Sequence, residues 1–293
     1  MIKKTFTLSL MCLFAIAAFA QNLTKETRNV PSFTGLDASS AFTIELKKGP
    51  TPSVVIECEP QYLPHIRTEV ANGVLKLYYH NNDVIRVRTR TPFKAYITTS
   101  ELDYLDLSGA CTLTSSDLFT PARFKVDLSG ASKVTGLRID TKDASIETSG
   151  AANLSMEIHC DRASCDISGA SKNSINGVIK QIDIDISGAS KASYSLKSER
   201  MTIEASSGST VTLEGEANQT KISLSSAATL SAEQCTVKEM ELSASSASRA
   251  NVYVTETLSP HLSSAAKLNY KGAPRITNLK VGSGATINGH GDK

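Results

Sequence analysis

The chain has 293 residues, a formal net charge of +2, no Trp and 5% aromatic residues. This near-neutral balance excludes a nucleic-acid binder, which would be basic overall or carry a basic face. The length allows one large domain or two small ones, and no apolar stretch beyond the first twenty residues is long enough for a membrane-spanning helix.

Residues 1–20 read as an export signal. Lys3 and Lys4 form a basic start, 6–19 is largely apolar, and Ala18-Phe19-Ala20 fits the small-x-small cleavage rule. The mature chain then begins at Gln21. Cys12 follows Met11, and a lipidation site would want a small residue there. The signal holds two of the 31 basic residues and none of the 29 acidic ones, so the mature chain is formally neutral. The expected location is secreted, in the periplasm or on the outer cell surface.

Residues 21–32 read as a polar lead-in, and 33–100 as an irregular β cap with the first coils of the body that follows. The segments 54–56 and 74–78 have strand patterns, and 60–66 can hold one helical turn. Asn72-Gly73 is a hairpin signal. Arg86, Arg88 and Arg90 alternate with Ile85, Val87 and Thr89, which puts three guanidinium groups on one strand face. That face is either a solvated edge strand or a site for an anionic glycan or lipid head group, since Arg pairs well with carboxylate and phosphate.

From residue 101 onward one phrase recurs. Ser108-Gly109-Ala110 returns at Ser129, Ser149, Ser168, Ser187, Ser206, Ser225, Ser245 and Ser263, and closes at Gly282-Ser283-Gly284. The steps are 18 to 21 residues, mostly 19. A fixed period of this size marks a solenoid. The residues one and three places before each Ser are mostly apolar, as at Cys165 and Ile167 or Ile184 and Ile186. A polar residue stands between them, which is the alternation of a strand with one buried face. Helices are disfavoured by the Ser, Thr and Gly content. The fold class is therefore all-β: a parallel β-helix of about 19 residues per coil, one domain over 33–293, with regular coils over 101–293. Ten coils stacked at roughly 4.8 Å make a rod of about 48 Å.

The repeated phrase predicts a corner. Gly takes backbone angles closed to other residues, and the following Ala is expected to fill the tight space with its methyl. The later Ser-Ser-Ala versions imply a corner that is not strictly left-handed. These serines lack a recurring base beside them, so they are not read as nucleophiles. The mature cysteines Cys58, Cys111, Cys160, Cys165 and Cys235 are odd in number and match no metal motif. They read as small buried residues, with a Cys160–Cys165 bridge as the alternative. No cofactor motif is present.

Two places before each Ser stand Asp106, Asp127, Glu147, Asp166, Asp185 and Glu204, then Ser223, Ser243, His261 and Lys280. Stacked like charges repel by roughly 0.9 kcal/mol per neighbour even in water. Lys133, Lys172, Lys191, Arg249 and Lys267, four places after their Ser, are expected to offset them. The column is either a surface of exposed ion pairs or a strip for a cation or ligand. Paired carboxylates also suit a polysaccharide-cutting enzyme, with Asp127, Asp166 and Asp185 as candidates. Against this, near-equal coils leave no long loops for a cleft.

Several segments together resemble one family. They are Phe33 and Leu36 before an alternating strand, Tyr62-Leu63 through Asn72-Gly73-Val74-Leu75, the Leu-Ser-Gly-Ala at 107–110, and Tyr270-Lys271-Gly272-Ala273-Pro274 through Gly282-Ser283-Gly284. They look like the autotransporter-adhesin head family, also called the GIN domain or DUF2807, over about 30–290. The resemblance implies a right-handed parallel β-helix in secreted or surface proteins, often of Bacteroidetes, and brings no catalytic residues. The function expected is non-catalytic, adhesin-like binding of a glycan or of an envelope or host protein, at the Arg strand and the carboxylate column. Homo-oligomers through coil edges are a further expectation. The ranked alternatives are a β-helix hydrolase or lyase and a structural envelope component.

Overall fold

The computed structural model describes residues 23–80 and 92–290. Period-two alternation along the chain becomes long strands with one face inward. Asn153–Ile167, Lys172–Ile186, Lys191–Ala205 and Thr210–Leu224 are each 15 residues long. Each pairs in parallel with the next, as in Ile167↔Ile186 and Ile186↔Ala205. Nineteen residues is thus the length of one coil. Stacking puts Ile146, Cys165, Ile184, Ile203, Ile222 and Leu242 in one inward column, all buried. Each fully buried aliphatic side chain contributes roughly 1.5–3 kcal/mol. The buried cluster runs unbroken from Phe33 to Leu268.

The column five places after each Ser also faces inward. Asn173, the polar exception there, is buried and donates from Nδ2 to Thr148 Oγ1 at 3.0 Å.

The corners correct two expectations. Ala110, Ala131, Ala151, Ala170 and Ala189 are exposed. The small buried residue is the next one along: Cys111, Ser132, Ala152, Ser171 and Ser190. The turn also stays left-handed where Gly gives way to Ser. At Gly130 (φ 66°) only the first central residue is left-handed, the type II′ pattern. At Ser226 (φ 50°) and Ala227 (φ 69°) both are, the type I′ pattern. The two turns differ by a flip of the central peptide, and the hydrogen bonds show it. Ala131 N donates to Gly109 O of the preceding coil at 2.7 Å, whereas Ala227 N donates to Ser246 O of the following coil at 3.0 Å. Gly208 N still donates backward, to Gly188 O at 3.0 Å, so the ladder reverses between these two corners. Planar trans peptides then aim the carbonyls of Ser207 and Ser226 toward one another across that seam.

The N-terminal end is closed by antiparallel pairing. Seven strands open the described chain: β1 (Thr24–Arg28), β2 (Gly35–Ala38), β3 (Phe42–Lys48), β4 (Ser53–Cys58), β5 (Ile66–Ala71), β6 (Val74–Tyr79) and β7 (Phe93–Thr99). β2 and β3 form the first coil in chain order, held in parallel between β6 and β7 on one side and Tyr104–Leu107 and Thr112–Thr114 on the other. β4 lies antiparallel to both β1 and β7, and β5 and β6 form a hairpin. The expected polar lead-in is therefore a cap strand in part. Asn72 (φ 52°) and Gly73 (φ 77°) make the anticipated hairpin turn, and Pro60–His65 is a 3-10 helix. Phe42, Tyr62, Tyr79 and Phe93 pack ring against ring at 5.4–6.3 Å and seal this end.

All five described cysteines are free and buried. Burial pushes the thiols of Cys160 and Cys165 up to about 12. They are packing residues with little thiolate for chemistry.

Candidate functional site

Parallel in-register pairing converts a sequence column into a physical ladder. Asp106 stands opposite Asp127, Asp127 opposite Glu147, Glu147 opposite Asp166, Asp166 opposite Asp185, and Asp185 opposite Glu204. The structure adds one member that the sequence reading missed. Asp37 in β2 pairs with Asp106, so seven carboxylates stack in one line. The signal was present: Asp37 lies two places before Ser39 in the corner-like Ala38-Ser39-Ser40-Ala41. The corner serines Ser149, Ser168 and Ser187 form a hydroxyl row beside the carboxylates.

The expected counter-charges do not reach this ladder. Among the described residues, Lys133, Lys172, Lys191, Arg249 and Lys267 make no ion pair with it. They stack in a separate column beyond the corner, with Lys172 opposite Lys191 and Arg249 opposite Lys267. One cation from the ladder's own strand face does reach it: Lys125 Nζ lies 2.9 Å from Glu147. Tyr104 Oη donates to Asp106 at 3.1 Å. The other inter-coil ion pairs lie elsewhere, such as Arg162 with Asp143 at 2.7 Å and Arg138 with Glu157 at 3.1 Å.

Burial first, and this uncompensated charge second, show in the acidities. Burial, then the charges of Asp106 and Glu147, hold the Asp127 carboxyl above the usual range. Burial and then Asp185 and Glu147 do the same for Asp166. At Asp106 burial dominates, and Asp37 adds to it against the Tyr104 hydrogen bond. Burial pushes Tyr104 itself up to about 12.

Asp127, Glu147, Asp166 and Asp185 line an open groove of about 410 Å³ with Ser149, Ser168 and Ser187. A second groove, of about 820 Å³, continues past Asp185 along Glu204, Ser206, Ser225, Ser245 and His261. Among the described residues, no three His, Cys, Asp or Glu side chains are grouped to hold a metal. The ladder is a linear array of acceptors and not a closed cage. Arg86, Arg88 and Arg90 lie outside the described residues.

A family model for "Putative auto-transporter adhesin, head GIN domain" (DUF2807) matches residues 32–195 and 174–274. The chain belongs to this family. Three solved structures share the fold of this GIN-domain chain. A "putative adhesin" of Parabacteroides merdae is 14% identical, covering 92% of this chain and 96% of its own, with a TM-score of 0.53. A "putative adhesin" of Parabacteroides distasonis is 15% identical, covering 92% and 98%, with a TM-score of 0.53. A "Putative lipid binding protein" of the same species is 16% identical, covering 92% and 98%, with a TM-score of 0.50. No curated protein matches the chain. Among its described residues no helix is long and apolar enough to cross a membrane.

The acidities of the GIN-domain chain set opposite trends with pH. A carboxyl whose folded pKa is raised costs stability when ionised. That cost is absent below the ordinary carboxyl range and complete above the raised value. Asp106, Asp127 and Asp166 are of this kind. Asp143 and Asp161 are held low by hydrogen bonds from Arg162 and Lys180. Their stabilisation is present above the ordinary range and lost as pH falls through their depressed values. Tm is therefore expected to rise as pH falls from 7 to the ordinary carboxyl range, about 4, and to fall below it. Asp127→Asn with Asp166→Asn should raise Tm at pH 7 and flatten the first limb. A wild-type Tm that falls steadily from pH 7 downward would contradict this account of the ladder.

Proposed function

We propose that the protein is a non-catalytic, adhesin-like binding protein of the cell surface or periplasm, and that the carboxylate and hydroxyl ladder is its binding face. The observation that carries this is seven carboxylates in register, of which only Glu147 is ion-paired among the described residues. A repeating ladder at one residue per coil suits a repeating ligand, each unit adding a weak contact that multiplies along the rod. The ligand class is a glycan, whose hydroxyls donate to carboxylates and accept from serines, amino sugars being favoured by charge. The adhesin family and the adhesin-named structural neighbours support a binding role over catalysis. In the enzyme alternative, Asp127, Asp166 and Asp185 would do acid–base work on a substrate. Among the described residues these three stand in an open face without enclosing loops, which argues against it.

Calorimetric titration of the chain from Gln21 onward against a panel of bacterial and host polysaccharides tests this. Heat on mixing, with ligand length unchanged afterwards, is the expected result. Shortened ligand would overturn the non-catalytic reading. No heat with any glycan would overturn the ligand class and leave a protein partner.

A further inference from the structure

The two ends of the rod are unlike. Antiparallel strands and an aromatic cluster close the N-terminal end. At the other end the last described strands pair on one side only. Arg275–Ile276 and Lys280–Val281 pair with Arg249–Leu262, and Thr286–His290 pairs with Lys267–Lys271. Among the described residues their outer edges have no strand partner, which leaves backbone N–H and C=O groups as a template for another strand. The inward columns meanwhile run out into solvent. Val281 stacks on Leu262, yet Leu262 is 3% exposed and Val281 45%. Leu279, inward by the same alternation, is 52% exposed. Terminal solenoid units ordinarily carry a polar outer face, and here Leu279 and Val281 stand exposed among the polar residues of the last coil.

Charge narrows what can cover it. Residues 257–290 contain Lys267, Lys271, Arg275 and Lys280 and no Asp or Glu. Lys271 reaches Glu233 at 3.9 Å. Lys267, Arg275 and Lys280 make no ion pair among the described residues. A second copy joined end to end about a twofold axis would set Arg275 and Lys280 against their own counterparts. An anionic lipid surface would satisfy the cations but leave the strand edges without hydrogen-bond partners. An extended peptide with alternating apolar and acidic residues satisfies all three features. Its backbone pairs with the edge, its apolar side chains cover Leu279 and Val281, and its carboxylates meet Lys280 and Arg275.

We propose that the C-terminal edge is a docking site for an extended acidic segment of a partner protein, which adds to the solenoid as its next coil strand. The edge lies past the last carboxylate, with Lys280 at the far end of the same column and of the groove that begins at Asp185, and its proposal does not depend on the glycan reading.

The chain itself supplies a probe. A synthetic peptide of residues 180–195 carries Ile184, Asp185 and Ile186 at the coil positions of Leu279, Lys280 and Val281. Its fluorescein conjugate would be titrated with the chain from Gln21 onward and followed by anisotropy. Saturable binding is expected, weakened about tenfold or more by Lys280→Glu in the protein. A peptide with Asp183→Lys and Asp185→Lys should bind wild type poorly and recover on the Lys280→Glu protein. Lys280 is exposed, so the variant should keep its circular dichroism and Tm, which would be checked. Absence of binding by the native-sequence peptide would overturn the proposal. So would binding indifferent to Lys280→Glu, or sedimentation as a dimer that Leu279→Ser disrupts. Lys280-dependent binding to anionic phosphatidylglycerol vesicles, without peptide binding, would overturn it in favour of lipid.

Discussion

Gly177→Ala is expected to destabilise the chain by about 3 kcal/mol or more, lowering Tm by several degrees. Gly177 has φ 141°, which L side chains rarely adopt. An added Cβ would collide with the carbonyl oxygen of Ile158, with the carbonyl carbon 2.8 Å away. That carbonyl belongs to the coil on which residue 177 stacks, as Ile158↔Gly177. Backbone cannot move aside there without breaking registered pairs on both sides, since Gly177 also pairs with Leu196. Gly208→Ala is the control. Its φ is not left-handed, and an added Cβ would have only Gly188 O for a neighbour, at 3.8 Å. Its effect should stay within about 0.5 kcal/mol. Thermal melts of both variants give the comparison. Equal melts for Gly177→Ala and wild type would mean that the coils are not stacked in this register.

Ile184→Asp and Asp185→Asn are neighbouring changes with opposite expected signs. Ile184 is 2% exposed and sits between Cys165 and Ile203 in the inward column. A carboxylate there would be buried in an apolar column away from solvent, so the cost is on the order of 4 kcal/mol, enough to open the middle of the rod. Asp185, one residue on, faces solvent between Asp166 and Glu204. Its neutralisation removes two like-charge neighbours and should raise stability by about 0.5 kcal/mol, a small gain because the site is exposed. Denaturant melts decide it. A stabilising Ile184→Asp, or a strongly destabilising Asp185→Asn, would show the strand turned over.

The solenoid was legible because stacking imposes one rule on every coil. The inward positions before Ser168 and Ser187 are apolar for the same reason, so ten corners reinforce one reading. The ladder was legible for the same reason from Asp106 to Glu204. Asp37 was missed because β4 to β7 intervene between the first coil and the next, stretching a single step to 69 residues. The corner signal at Ser39 survived that insertion, while the period did not. Corner chemistry was less legible. Gly130 and Ser226 both sit at left-handed positions, but the flip of the following peptide depends on the neighbouring coil. The reversed hydrogen bonds at Ala227 therefore have no signature in local sequence. Ion pairing was misjudged at Lys172 and Lys191, because four residues past the corner is a different face of the rod. The antiparallel closure by β1 rests on long-range pairing with β4, which no periodicity announces.

The most direct test of the binding face is one calorimetric comparison. The glycan that binds most strongly to the chain from Gln21 onward would be titrated into the triple variant Asp127→Asn, Asp166→Asn, Asp185→Asn. The account predicts loss of most of the binding, at least about tenfold in Kd, with Tm unchanged or raised. Undiminished affinity in the triple variant would contradict it and remove the carboxylate ladder from the site.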